Sequence, residues 1–332
     1  MPPFLYNILM DFGSSTFVNA PEFPDLGQIG AENLTWLNTS PLSMAKLQGK
    51  VVLVDFWTYS CINCQRTLPY LKKWWDKYSK SGLEIIGVHS PEFEFEKKIE
   101  NVKEALIKYQ VEWPVVLDNE LKVWHLFANH YWPAKYLIDH EGKIIYTHYG
   151  EGNYIETELK IQSALKDAGF KIDEKMSSGS ILPGFEQDQT PETYLGSLRG
   201  QVINIPQDIS IKPNQVYTTG KWIQQKEYLQ HARLTDDLDD LIILSYKAKD
   251  GYLVMEAEDS SPIKAYITVD GIGLSERNAG RDIQFDNEGR SFVDVNFSTL
   301  YHLISTDTYG DHVLRISTTS DKLRCFAFTF GS

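Results

Sequence analysis

Cysteine is scarce in this chain: Cys61, Cys64 and Cys325 are the three thiols in 332 residues. That is too few for the disulfide framework of a small secreted scaffold, and two of the three stand only three positions apart, which points to chemistry rather than stapling. Long apolar runs are missing as well. No stretch approaches the roughly 18 consecutive apolar residues of a membrane span, and MPPFLYNILMDFG at the start has an apolar patch without a basic flank before it. A soluble chain with no recognisable export signal is expected. Positive charge is short too, with 32 Lys and Arg against 45 Asp and Glu for a net charge of −13. This disfavours sequence-blind attraction to polyanions, so no nucleic-acid partner is expected. What the chain has in quantity is apolar surface: 42% hydrophobic and 13% aromatic residues, ample for two separate cores.

Two grammars follow one another along the chain. VVLVDFW (51–57) reads as an apolar strand, and CINCQRTLPYLKKWWDKYSK then carries helical spacing through Leu68, Leu71, Trp75 and Tyr78. LEIIGVHS (83–90) is a second buried strand, and EFEKKIENVKEALIKYQ (94–110) an amphipathic helix with Ile99, Val102, Leu106 and Tyr109 on one side. PVVLD (114–118), a short helix near 119–129, AKYLID, a turn at His140–Lys143, IIYTHYG, and a helix over 153–168 ended by Gly169 complete an α/β unit with a parallel centre. Residues 170–190 lose this periodicity and gather Ser, Gly, Pro and acidic residues, as a linker does. Beyond them come short runs such as LIILSYKA, GYLVMEAE, IKAYITVDG, RSFVDVN, LYHLIST, DHVLRIST and LRCFAFTF, the pattern of an all-β sandwich or jelly roll. The expected organisation is an N-terminal extension (1–30), an α/β redox domain (31–169), a linker (170–190) and a β-sandwich (191–332). The Asp236–Asp240 run reads as a solvated loop rather than a calcium site.

The chemistry concentrates at Cys61-Ile62-Asn63-Cys64. The thiolate is the reactive form of cysteine, and the first turn of a helix sets unpaired N–H groups and the positive dipole end beside Cys61. Cys64, one turn later on the same face, is placed to resolve a mixed disulfide formed at Cys61, giving an exchange cycle without a cofactor. Three other readings stay open: half of a zinc site, for which the far Cys325 is the only further cysteine; an inert structural disulfide, which the strand-to-helix position opposes; and the TxxC of a peroxiredoxin through Thr58, where Val54 stands four residues before the threonine instead of proline. No metal site is expected. Asp55 inside the first strand needs a function or a partner, since a lone buried carboxylate is expensive, and a proton relay to or from Cys64 is the functional expectation. Glu92, in the His89–Phe93 segment after the second strand, is a candidate for the active-site rim and substrate contact.

VVLVDFWTYSCINCQRTLP resembles the active-site strand and helix of thioredoxins, including Asp55, Trp57 and Pro69. That resemblance implies a cis-proline at Pro133 beside the cysteine pair, with Trp57 near the sulfurs and the backbone of Trp132 pairing with an extended substrate. The dipeptide Ile62-Asn63 differs from the usual family pairs, so the redox poise cannot be transferred. WTYSCINCQRTLPYL, HSPEFEFEK, NHYWPAKYLID, YGEGNY, TPETYLG and the terminal FAFTFG, in order, resemble the soluble C-terminal part of DipZ-type proteins. This implies a TlpA-like thioredoxin-like domain joined to a sandwich like a carbohydrate-binding module. It implies a thiol-disulfide oxidoreductase acting on protein thiols or disulfides, a DsbD-like membrane protein as electron donor, an extracytoplasmic setting, and a glycan as partner of the second domain. Trp222, Tyr228, Tyr246, Tyr252, Tyr266, Tyr301 and Tyr309 are the aromatics such a glycan platform would draw on, with core packing as their alternative use. Cys325, alternating with Leu323 and Ala327, is expected to be a buried small hydrophobe outside the redox cycle.

Overall fold

The computed structural model describes residues 18–21, 34–177, 189–205, 211–259 and 261–331. The apolar N-terminal patch and most of the expected linker lie outside these residues. The chain divides into two compact units, one of residues 1–57, 67–90 and 110–179, the other of residues 58–66, 91–109 and 180–332.

The first unit is built on a seven-stranded sheet. In chain order its strands are β1 (Val18–Asn19), β2 (Thr35–Leu37), β3 (Val51–Trp57), β4 (Leu83–His89), β5 (Val115–Leu117), β6 (Ala134–Ile138) and β7 (Lys143–Tyr149). They are ordered β1-β7-β6-β3-β4-β5-β2. The central β3 runs parallel to β4 and antiparallel to β6, the mixed pairing that one crossover helix followed by a hairpin produces. Helices α1 (Met44–Leu47), α2 (Ile62–Tyr78), α3 (Ile99–Tyr109), α4 (Lys122–Leu126) and α5 (Tyr154–Asp167) complete the α/β part of the chain, though α3 and the first residues of α2 are counted in the second unit. Every residue of β3 is buried. Because side chains alternate across a sheet, Val52, Val54 and Phe56 enter one core with Trp124, Phe127 and Tyr136, while Val51, Leu53, Asp55 and Trp57 lie on the opposite face. The carboxyl of Asp55 therefore sits in a strand that is dry on both faces. The expected turn closes with Gly142 at φ 87°, and α5 ends before Gly169 at φ 84°, conformations that glycine adopts without strain.

The second unit is an antiparallel β-structure of strands β8 (Thr193–Tyr194), β9 (Val202–Asn204), β10 (Val216–Thr218), β11 (Trp222–Gln224), β12 (Leu229–His231), β13 (Leu241–Ala257), β14 (Ile263–Val269), β15 (Ile272–Gly273), β16 (Gln284–Phe285), β17 (Ser291–Val295), β18 (Thr299–Ser317) and β19 (Leu323–Gly331). Their hydrogen bonds form one network ordered β11-β12-β19-β13-β18-β14-β17-β16. The expected pairs LIILSYKA/GYLVMEAE and LYHLIST/DHVLRIST are in fact two single strands, β13 and β18. Lys249-Asp250-Gly251, which reads as a turn, is carried through by register shifts at Ala248/Asp250 and Gly251/Tyr252. Bulges of this kind bend a strand without ending it. The main core of this unit includes Leu244, Leu253, Leu303, Ile316 and Phe328, and a smaller cluster gathers Ile205, Tyr217 and Ile243.

The expected aromatics have partners within the unit: Tyr246 stacks on Phe330, Tyr252 on His302, Trp222 tilts against His231, Tyr266 against Phe292, and the Tyr301 hydroxyl donates to Phe297 O. Tyr228 lies against Phe326 under the Arg324 guanidinium, and Lys247 lies over Tyr309. All seven are buried or half-buried. In the acidic run, Asp240 is buried, accepting from Arg233 Nε at 2.6 Å and lying 2.9 Å from His231 Nε2, so it is the centre of an ion-pair cluster rather than part of a solvated loop.

The candidate thiol-disulfide exchange site

Cys61 immediately precedes the first residue of α2, and the Cys64 N–H donates to its Sγ at 3.4 Å. The sulfur thus occupies the place of a helix-capping side chain, where the helix start offers donors that nothing inside the helix can use. Cys61 is half-buried and Cys64 buried, and both are free thiols. An accessible sulfur followed one turn later by a sheltered one is the arrangement a two-step exchange needs. Cys325 is fully buried in β19, and burial pushes its thiol well above the ordinary range, so it stays protonated.

The approach to Cys61 is held by its own unit. The Tyr59 hydroxyl donates to Ser298 O at 3.0 Å, its ring lies against Phe95 and Phe297, and Gln65 Nε2 donates to Tyr59 O at 2.8 Å. Ser60 Oγ donates to Glu96 Oε1 at 2.5 Å, and the other carboxylate oxygen accepts from the N–H groups of Glu92 at 2.6 Å and Phe93 at 3.0 Å. Glu96 is completely buried. Loss of solvation, with the nearby Glu92 charge adding to it, pushes its carboxyl up to about 7 against the pull of its hydrogen bonds from Ser60, Thr58 and Phe93. Arg66 lies over the Tyr252 ring at 5.9 Å. It also approaches Gly331 so closely that a side chain there would collide with it.

Within the first unit, Asp55 pairs across the sheet with Lys135 of β6, which in turn pairs with His148 of β7. Asp55 is 1% exposed and its Oδ1 accepts no hydrogen bond. Burial pushes its carboxyl up to about 7, with the Lys135 ammonium pulling the other way. The buried Lys135 donates to Gly150 O at 3.5 Å and lies over the Tyr154 ring at 5.9 Å. The Trp132–Pro133 bond is cis, as the family resemblance implies. Trp132 is half-buried, tilted against Trp124, and donates from Nε1 to Ser90 O at 2.9 Å.

Two expected substrate contacts take other roles. Trp57 is buried, edge-on to His89, so its ring is a core side chain and not a docking surface. Glu92 is engaged internally: its Oε1 accepts from Arg199 Nη1 at 2.6 Å and from the Tyr194 hydroxyl at 2.8 Å. A carboxylate so paired is a structural clamp. Sequence reasoning misses Glu96 and Lys135. A lysine inside the apolar AKYLI is a usable signal, whereas Glu96 is one of three glutamates in PEFEFEK that nothing local distinguishes.

Known proteins match the chain in the same order. Residues 26–147 match the AhpC/TSA family, and residues 190–331 match a family described as a thioredoxin-like C-terminal domain. Over 262 residues the chain is 37% identical to Protein DipZ of Mycobacterium bovis, an alignment covering 73% of this chain and 36% of that protein. The chain is a homologue of DipZ. It spans about a third of the length of the DipZ relatives it matches. Over 139 residues it is also 30% identical to the thiol-disulfide oxidoreductase ResA of Bacillus cereus, covering 41% of this chain and 78% of ResA. A crystal structure described as a thiol:disulfide interchange protein of the thioredoxin family from Chlorobium tepidum covers 46% of this chain and 99% of its own, at 19% identity and a TM-score of 0.39. The match to ResA places the α/β part of the chain in the family of thioredoxin-like thiol-disulfide oxidoreductases.

Proposed function

We propose that this chain exchanges disulfides with protein substrates through Cys61 and Cys64, working as a reductant. Cys61 as thiolate attacks one sulfur of a substrate disulfide, a Cys61–substrate disulfide forms, and the released substrate thiolate takes up a proton. Cys64 then gives up its proton and attacks Cys61 Sγ. The substrate leaves as a second thiol, and the pair is left as an internal disulfide that an external dithiol donor must reduce. Two electrons pass to the substrate and none is lost. The observation that carries this reading is the capping contact of Cys64 N–H with an accessible Cys61 sulfur. A lone peroxide-attacking thiolate would not need the second thiol at that place. Asp55, poised to hold or release a proton near neutral pH, is the group we assign to the deprotonation of Cys64. The donor is proposed to be a membrane dithiol protein of the DsbD kind, and the working compartment an extracytoplasmic one.

Replacing Cys64 by Ser removes the resolving thiol while leaving the attacking one. Disulfide-bearing proteins incubated with C64S are expected to accumulate as mixed disulfides at Cys61, visible as dithiothreitol-sensitive adducts by mass spectrometry. The wild-type pair, equilibrated against glutathione or dithiothreitol buffers, is expected to have a potential of roughly −270 mV or below. A value near about −120 mV would reverse the proposed direction. No adducts with C64S and no internal disulfide in the wild type would end the exchange reading.

A further inference from the structure

The segment leading into Cys61 is gripped by a buried carboxylate that the exchange chemistry does not itself require. Glu96 reaches Ser60, the residue next to Cys61, at 2.5 Å, bonds to Thr58, and folds back onto the N–H groups of Glu92 and Phe93. It is entirely buried, so little solvent screens a charge placed there.

We propose that Glu96 is the positioning residue of the exchange site: its carboxylate fastens Thr58–Ser60, the approach to Cys61, and its charge sets how readily Cys61 reacts. This deepens the exchange reading and rests on it for the identity of the reacting sulfur.

The electrostatic surroundings of Glu96 define the direction. On its own turn stands Glu92, already held by Arg199 and Tyr194, with Glu192 bonded to Tyr194 behind it. On the cysteine segment stands Tyr59, whose phenol burial pushes upward, with the Glu96 charge adding to it. From β13 comes Glu256, which is paired with Lys98 and with Arg324 of β19. No cation among these contacts Glu96 directly. The ionised form is held by neutral donors alone, so ionisation is reluctant and falls near neutrality instead of far below it. Below that point the neutral acid leaves Cys61 to the helix start. Above it, a negative charge is bonded to the residue next to Cys61.

The experiment is the rate of Cys61 alkylation by iodoacetamide in the intact, reduced chain between pH 5.5 and 8.5, located by peptide mapping, for wild type and Glu96→Gln. Glutamine matches the shape of the protonated acid. At pH 5.5 the two proteins should react alike, and at pH 8 E96Q should react about threefold faster, since the charge is absent in the variant. A purely structural role would change the rate by the same factor at every pH, and a constant ratio would overturn the proposal. Ser60→Ala provides a second arm should E96Q fail to fold. Removing the shortest hydrogen bond to the anion should move the inflection assigned to Glu96 to higher pH, and an unmoved inflection would count equally against it. The readout needs no substrate. A pair that never oxidises in redox buffers would defeat the exchange reading, whereas a pair that oxidises with a pH-independent E96Q ratio would defeat this inference alone.

Discussion

A carboxyl withdrawn from water in the native state prefers its proton there, and at Asp55 this preference makes stability depend on pH. Its folded value of about 7 stands above the ordinary 3.8 of the unfolded chain, so its native contribution is intact below about 3.8 and is lost as pH rises through 7. The distance between those two values sets a ceiling on the order of 4 kcal/mol, which the Lys135 ammonium and local relaxation reduce. His89 has the opposite gradient: burial lowers its imidazole from 6.5 to about 3, so its contribution is full above 6.5 and is lost as pH falls toward 3. At pH 8 His89 is neutral in both states and Asp55 dominates the comparison. Asp55→Asn is therefore expected to raise the urea midpoint at pH 8, corresponding to roughly 2 kcal/mol, and to change it little at pH 4. The same variant is expected to slow multiple-turnover disulfide reduction by roughly tenfold to a hundredfold, with a milder effect on Cys61 alkylation. Equal midpoints at both pH values would remove Asp55 from the set of strained groups. Cys61, Cys64, Asp55 and Pro133 are legible in the sequence because each announces itself by residue type within a local motif. Lys135 acquires meaning only through its register opposite Asp55, and sequence spacing does not contain strand register.

At the scale of elements, the segment after β4 shows where local periodicity is overruled. Residues 94–110 have the pattern of one helix, yet a 3-10 turn at Glu94–Lys97 comes first, and α3 starts only at Ile99. Glu96 turns inward to take the N–H groups of Glu92 and Phe93, and Lys98 adopts an extended conformation, ψ 117°, between the two pieces. Strand β13 shows the reverse, continuing through Asp250 and Gly251 because β18 and β19 pair with them on both sides. The turn is also clamped by Arg199, which pairs with Glu92 and stacks at 3.8 Å on Tyr194 and at 5.2 Å on Phe93. Arg199→Ala leaves the Glu92 carboxylate, 8% exposed, without its cation, and a loss of about 2 kcal/mol is expected after allowance for the half-open guanidinium. Arg199→Lys should restore less than half of it, since an ammonium keeps the charge but not the planar stack. Urea denaturation of the three proteins checks both statements; full recovery by lysine would show that charge alone matters.

Across the whole molecule, composition places a boundary at 170–190, and the C-terminal family match begins at residue 190. The compact unit is larger than that match. It takes in residues 58–66 and 91–109, whose side chains complete its core: Phe93 and Phe95 lie at 5.1 and 4.8 Å from Phe326, which is 2% exposed in β19. No pattern in the C-terminal half announces this, because Phe326 reads as one more apolar residue of a strand, and besides Tyr228 the rings against it, Phe93 and Phe95, come from more than 200 positions earlier in the chain. A fragment of residues 190–332 would uncover the side of Phe326 packed on Phe93 and Phe95 and leave Tyr194 and Arg199 without Glu92. Uncovering a large apolar side chain costs roughly 1.5–3 kcal/mol, a large fraction of the about 5–15 kcal/mol that holds a domain folded. The fragment is therefore expected to be far less stable than the same strands in the intact chain. Hydrogen exchange of peptides covering Leu323–Gly331, measured in both, provides the comparison, and protection in the fragment should fall by at least about a hundredfold. Equal protection would mean that the β-structure stands on its own and that the segments around the cysteine pair only rest on it. Reduced protection would mean that the C-terminal half folds correctly only with the cysteine segment in place.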